Sequence, residues 1–154
     1  MNIELKKIER EDCEFLNKLR NSCVDYLHDS RTFTVSETLQ WFETLKFPYY
    51  IIWKENERVG YIRITLHPEE KNSIYIGCDI VSDKRKQGIA YQSLTMLLPI
   101  LFDKFEKIYA EVLDFNIASL KLYTKLGFKQ EGIKKEAVLK NGKLINSIVL
   151  FIKK

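Results

Sequence analysis

The sequence predicts one mixed α/β domain, and two observations carry that prediction. Strand-like runs exchange along the chain with runs whose apolar residues recur at helical spacing, in the order β, α, α, β, β, β, α, β, α, β, β. The length, 154 residues of which 45% are hydrophobic, suits a single domain closed around one core.

Alternation in Asn2-Ile3-Glu4-Leu5-Lys6 marks the first strand, and Phe15, Leu16 and Leu19 form the apolar face of a helix over 11–19. A second helix is expected over 34–45, with Ser36 as its cap and Leu39, Trp41 and Phe42 as its buried stripe. Segments 49–53 and 59–66 are rich in β-branched and aromatic residues, and the polar Glu55-Asn56-Glu57-Arg58 between them reads as a hairpin turn. A third strand of this group, 73–81, follows a polar turn at 68–72. From Gln87 to Phe105 the residues Leu94, Leu97, Leu98, Leu101, Phe102 and Phe105 keep helical spacing, and Pro99 inside that run should bend or shorten the helix. Segment 108–113 is a short apolar strand, and 117–126 is a helix closed by Gly127. Strands 128–139 and 144–152 are joined at Asn141-Gly142.

The 25 basic and 21 acidic residues leave a net charge of +4, a mixed surface that mildly favours anionic ligands and lacks the basic stripe of a nucleic-acid binder. Cys13, Cys23 and Cys78 show no Cys-x-x-Cys spacing and are joined by only two histidines, which argues against a disulfide framework and a metal site. The N-terminal residues lack a leader pattern and no stretch of about 18 apolar residues occurs, so a cytoplasmic monomer or homodimer with no membrane partner is expected.

Two segments carry chemistry. In Arg85-Lys86-Gln87-Gly88-Ile89-Ala90 a glycine-bearing turn leads into a helix, whose unpaired N–H groups and positive dipole end suit a phosphate. The same residues also fit a turn that Gly88 merely caps, with Arg85 and Lys86 solvated. In the second segment, Asn116 to Phe128, Asn116 is a candidate N-cap, and Asn116, Ser119 and Tyr123 share one helical face. That stripe reads either as a binding face or as a cap followed by an ordinary amphipathic tyrosine.

With both segments in this order after this strand pattern, the chain resembles the GNAT superfamily of acyl-CoA N-acyltransferases over nearly its whole length. The resemblance implies a mixed sheet, splayed between the strand before the first motif and the strand before the second, with coenzyme A entering the gap. It implies that backbone groups of Ile80 and Val81 pair with the pantetheine arm, and that Arg85, Lys86, Gln87, Gly88, Ile89 and Ala90 surround the pyrophosphate. Asn116 and Ser119 would bind further along the coenzyme, and Tyr123 would protonate the departing thiolate. Transfer to an amine needs a neutral nucleophile, whereas an alkylamine with a pKa of roughly 10 is mostly protonated at neutral pH, so a base is required. Glu111 resembles the glutamate that serves this purpose in ribosomal-protein N-terminal acetyltransferases; a solvent-facing glutamate is the alternative reading. Asp79 and Asp83 are rival carboxylates, Cys78 reads as a small core residue, and His28 and His67, in loops, are assigned no role.

For the acceptor, Leu19-Arg20-Asn21, Thr32 and Gln40-Trp41-Phe42 resemble the subgroup containing those enzymes and aminosugar N-acetyltransferases. This makes Arg20, Asn21 and Trp41 candidate substrate contacts. Arg20 suits a substrate phosphate, or equally an ion pair with Glu11, Asp12 or Glu14. Segment 143–147 departs from the subgroup, which carries an acidic residue near Asn146. The expectation is acetyl-CoA-dependent acetylation of a primary amine without a metal. A small-molecule or nucleotide-linked amine such as an aminosugar stands ahead of a protein N-terminus, and a catalytically silent acyl-CoA-binding domain is the contrasting possibility.

Overall fold

The computed structural model describes residues 1–154. Its strands are β1 Ile3–Lys7, β2 Tyr50–Lys54, β3 Glu57–Leu66, β4 Ser73–Ile80, β5 Lys107–Leu113, β6 Lys129–Lys140 and β7 Lys143–Lys153. Four α-helices, α1 Cys13–Ser22, α2 Val35–Glu43, α3 Ile89–Phe102 and α4 Ile117–Lys125, complete the element order expected from the pattern. All seven strands form one sheet in the order β1-β2-β3-β4-β5-β7-β6, antiparallel throughout except between β4 and β5.

Local chemistry sets the element ends. The β2–β3 hairpin turns on Glu55 and Asn56, at φ 50° and 63°, and the β6–β7 hairpin on Asn141 and Gly142, at 51° and 77°. Consecutive left-handed residues match the twist of the strands they join. Helix α2 is capped by Thr34 rather than Ser36: the Thr34 hydroxyl accepts from the Glu37 N–H (3.0 Å) while the Glu37 carboxylate accepts from the Thr34 N–H (2.9 Å). Thr34 has the extended backbone a cap requires, whereas Ser36 already lies inside the first turn. Helix α3 retains Pro99 and ends at Phe102, three residues before the apolar spacing does. Proline deprives the Thr95 carbonyl of its partner, and because Thr95, Met96, Pro99 and Ile100 all face solvent, water can satisfy it.

The two helix pairs cover opposite faces of the sheet. Leu94, Leu97, Leu98 and Leu101 of α3, with Tyr123 of α4, pack on Ile62, Ile74, Ile76, Ile108, Ala110 and Val112. On the other face Leu16 and Leu19 of α1 pack on Ile51 and Tyr61, with Trp41 and Phe42 of α2 at the margin. The start of α1 is tied to β3 by the buried Asp12 carboxylate, which accepts from Arg58 Nε at 2.8 Å.

Between β4 and β5 the ladder lasts for only three residue pairs, Ser73 with Lys107, Ile74 with Ile108 and Tyr75 with Tyr109. Beyond them β4 stays paired to β3 as far as Ile80, and β5 to β7 as far as Leu113. The sheet therefore opens into a wedge whose walls are Ile76–Ile80 and Ala110–Leu113. Removing the cap that orients α2 over this sheet, Thr34→Ala, should cost about 1 kcal/mol, read as a lower urea midpoint at unchanged slope.

Candidate active site

Backbone bookkeeping along β4 identifies which groups face the wedge. The His67 N–H donates to the Ser73 carbonyl and the Val81 N–H to the Val59 carbonyl, so odd-numbered residues of β4 turn their amides toward β3. Even-numbered residues turn theirs toward β5, and past Tyr75 they meet no strand. Cys78 and the N–H of Ile80 thus form an unpaired edge, the kind of template an extended amide-containing ligand can join as a strand. Val81 corrects the expectation, because its N–H is bonded to Val59 and its carbonyl accepts from Lys84 (3.0 Å). The free backbone groups at this point of the edge are those of Cys78 instead. The signal was present in the two-residue period, once the register with β3 is known.

The loop after β4 fits a pyrophosphate. Lys86 and Gly88 are both left-handed, at φ 61° and 79°, which turns successive N–H groups toward one side. These lead into the free N–H groups of the first turn of α3, where no acidic residue opposes an anion. A Cβ built on Gly88 meets no atom within 4 Å, so φ rather than crowding by the chain demands glycine there. Arg85 does not extend over this concavity; its Nε donates to the Ile80 carbonyl (3.0 Å) and its Nη2 approaches Cys23 Sγ (3.4 Å), latching the loop to the end of β4. Gln87 Oε1 accepts from Lys54 Nζ (3.1 Å). Ile89 is buried under the loop, and Ala90 keeps the helix entry narrow.

Across the wedge, Asn116 caps α4 as expected, its Oδ1 accepting from the Ser119 N–H at 3.3 Å. One and two turns on, Ser119 stays partly exposed while Tyr123 is 4% exposed, its ring edge-on to Phe128 with centroids 5.1 Å apart. Burial raises the Tyr123 phenol well above its usual range; the neighbouring ionisable groups of Cys78 and Asp79 add to the shift and Arg63 opposes it. Burial likewise holds Cys78 as a thiol. Tyr123 is therefore a protonated donor at neutral pH, beside the free edge of β4.

Glu111 lies on the opposite face, where the odd residues of β5 continue the plane of Tyr61, Arg63 and Asp79. It is not a solvent-facing glutamate: its Oε1 pairs with Lys134 Nζ at 2.5 Å, and its Oε2 lies 3.8 Å from His28 Nε2. His28 is also 2.7 Å from the hydroxyl of the fully buried Ser147. No local pattern singles out His28, since these neighbours stand about a hundred positions away in the chain. Asp79 accepts from the Tyr61 hydroxyl at 2.5 Å and lies 3.9 Å from Arg63 Nε. Asp83 sits in the loop after β4, outside this cluster.

Beside it a cavity of about 420 Å³ is walled by Leu16, Phe33, Trp41, Tyr49 and Tyr61, with Arg63 and Arg20 on its lining. Trp41 meets the Tyr49 ring edge-on at 4.8 Å. Arg63 Nε is buried without a hydrogen-bond partner, and its guanidinium lies against Gly77, where even a Cβ would collide with it. An arginine inside the apolar run 59–66 was its sequence signal. Arg20 is stacked on Phe33 and donates to the Asp29 and Arg31 carbonyls, so it forms none of the ion pairs with Glu11, Asp12 or Glu14 considered above. Asn21 is spent on the Phe33 backbone, donating to its carbonyl (2.8 Å) and accepting from its N–H (3.0 Å), which makes it a staple for the α1–α2 loop.

The sequence model of the acetyltransferase (GNAT) family matches residues 13–128, a span that holds the wedge, the loop and α4 together. The chain belongs to the GNAT acetyltransferase family. It is an N-acetyltransferase that uses acetyl-CoA. An uncharacterised N-acetyltransferase of Bacillus subtilis (strain 168), SPbeta prophage-derived YokL, is 26% identical to this GNAT chain, with 96% of the chain and 87% of that protein aligned. Among solved structures, a ribosomal-protein-alanine N-acetyltransferase from Brucella melitensis superposes with a TM-score of 0.90 at 21% identity, covering 98% of this chain and 99% of that one. A spermidine N-acetyltransferase from Vibrio cholerae, in complex with CoA and spermine, also gives 0.90, at 19% identity over 98% and 95%. At these identities the two structures establish the fold. Their differing acceptors leave this chain's acceptor to its own pocket.

If backbone amides rather than side chains hold the pyrophosphate, Lys86→Gly should leave coenzyme A affinity near that of the parent while relieving about 1 kcal/mol of left-handed strain. Gly88→Val, which forces a β-branched residue to positive φ, should weaken it by about tenfold. Calorimetric titration with coenzyme A checks both.

Proposed function

We propose that the chain moves the acetyl group of acetyl-CoA directly to a primary amine in a ternary complex, and that the amine is a small molecule or a nucleotide-linked compound such as an aminosugar. The observation that carries the acceptor reading is the cavity of about 420 Å³, whose aromatic walls and lining Arg63 suit a compact molecule. Arg63 offers its unpartnered Nε to a carboxylate or phosphate on that molecule. A polypeptide N-terminus would use an open groove instead.

In this reading the Cys78 and Ile80 backbone groups hold the pantetheine amides, and the amides of Lys86 to Ala90 hold the pyrophosphate, with Asn116 and Ser119 alongside. The coenzyme supplies an activated acyl thioester in the wedge. Glu111 takes a proton from the amine on one face of the sheet, directly or through water, and Tyr123 gives a proton to the leaving sulfur on the other. The protonated Cys78 thiol supports direct transfer over an acyl-enzyme, since the thiol is a weak nucleophile.

Tyr123→Phe should lower kcat by about a hundredfold, the lower end of what a positioned general acid contributes, while the thermal shift with coenzyme A stays at the parental value. Equal rates in the two proteins would remove Tyr123 from the chemistry and favour a silent binding domain. Arg63→Met should raise KM for a phosphate- or carboxylate-bearing amine by about tenfold and leave KM for acetyl-CoA alone, the loss expected when a charge-assisted hydrogen bond goes. An acceptor KM unchanged in steady-state assays would mean that Arg63 does not meet the acceptor.

A further inference from the structure

We propose that His28 is the proton exit of the site, receiving the amine's proton from Glu111 and passing it to water in a second cavity at the outer edge of the fold. The inference rests on the reading of Glu111 as the group that meets the amine. His28 stands between Glu111 and the outer cavity. On the inner side its Nε2 lies 3.8 Å from Glu111 Oε2, the oxygen that Lys134 leaves free by binding Oε1 at 2.5 Å. On the outer side His28 lines an open cavity of about 540 Å³ between residues 28–31 and Ala137, Val138 and Leu139 of β6. The buried Ser147 hydroxyl, 2.7 Å from Nε2, fixes the ring between them.

The charges around the imidazole suit a carrier. Burial lowers its pKa below the usual 6.5, opposed by the Glu111 carboxylate and assisted by Arg63 of β3 and by Lys134 and Lys140 of β6. Asp29 beside it is engaged by Arg31, with Arg31 Nη2 at 2.7 Å from its carboxylate. The ring is thus neutral at pH 7 and gives up a captured proton readily. Lys140 also secures the loop that carries His28, its Nζ donating to the Val24 carbonyl (2.7 Å) and the Ser30 hydroxyl (2.6 Å).

The proton balance requires such an exit. An alkylammonium and a thioester become an amide and a thiol with release of one proton. The ammonium N–H bond breaks, its electron pair becomes the nucleophile, and that proton goes to Glu111, then to His28, then to water. The second amine proton replaces the one that Tyr123 gives to sulfur. Because Glu111 is already paired with Lys134, a protonated Glu111 is a state the site must discharge before the next turnover.

The test is the pH dependence of kcat, which reports the ternary complex, together with a proton NMR titration of the two histidines, assigned with His67→Gln. The acidic limb of kcat should coincide with the titration of His28 in the unmodified protein. His28→Gln should lower kcat by about tenfold and abolish that limb, and imidazole in the buffer should restore part of the rate through the outer cavity. A His28 titration displaced from the kinetic limb, or a limb unchanged in His28→Gln, overturns the relay. Glu111→Gln run in parallel separates the two claims. A slow Glu111→Gln enzyme beside an undiminished His28→Gln enzyme sinks the relay alone, and a Glu111→Gln enzyme of parental rate sinks the role of Glu111 itself.

Discussion

After Tyr75 and Tyr109 the parallel pairing of β4 with β5 stops, while each strand keeps its antiparallel partner on the other side. Every other feature of the site depends on that divergence. An unpaired strand edge inside a sheet is costly unless something completes it, because buried amides need partners. Here the amides of Cys78 and Ile80 make the wedge a template for an extended molecule carrying amides of its own. Arg63 on one face and Tyr123 on the other are near enough for their ionisable groups to interact.

This explains the separation of Tyr123 from Glu111. Tyr123 belongs to the core under α3 and α4, dry enough to keep its phenol protonated. Glu111 belongs to the face under α1 and α2, among Lys134, His28 and the Arg63–Asp79 pair. In the reading proposed for the two residues, acid and base chemistry at one bond would otherwise require two groups of opposed proton affinity at close range. A sheet lying between them keeps their environments distinct.

Charge is distributed with the same economy. The exposed edge strand β6 carries Lys129, Lys134, Lys135 and Lys140, a composition that discourages edge-to-edge pairing. Two of these lysines reach inward, Lys134 to Glu111 and Lys140 to the loop holding His28. β6 therefore braces the face that carries Glu111 and His28. Its irregular register between Lys134 and Val138, with Glu136 at φ 52° and its N–H bonded to Asn146 Oδ1 (2.9 Å), accompanies this placement. Asn146 thus has a backbone task here.

The sequence by itself determined the elements and the two motif segments. Periodicity, Asn141-Gly142, Asn116 and Gly88 act through local backbone geometry, which a short window contains, and the seven strands and four helices followed from them. Ser36 gave way to Thr34 because a cap depends on one residue's backbone angles, finer than any apolar stripe resolves. Tertiary structure alone decided which backbone groups of β4 were free, since the assignment to Cys78 rather than Val81 depends on the register with β3. It also decided that Arg20 and Asn21 hold a loop, and that His28 stands beside Glu111 and Ser147. The loop contacts of Arg20 and Asn21 span 9 to 12 positions and that of His28 with Ser147 spans 119, and in both cases only the packing of the folded chain brings the partners into range.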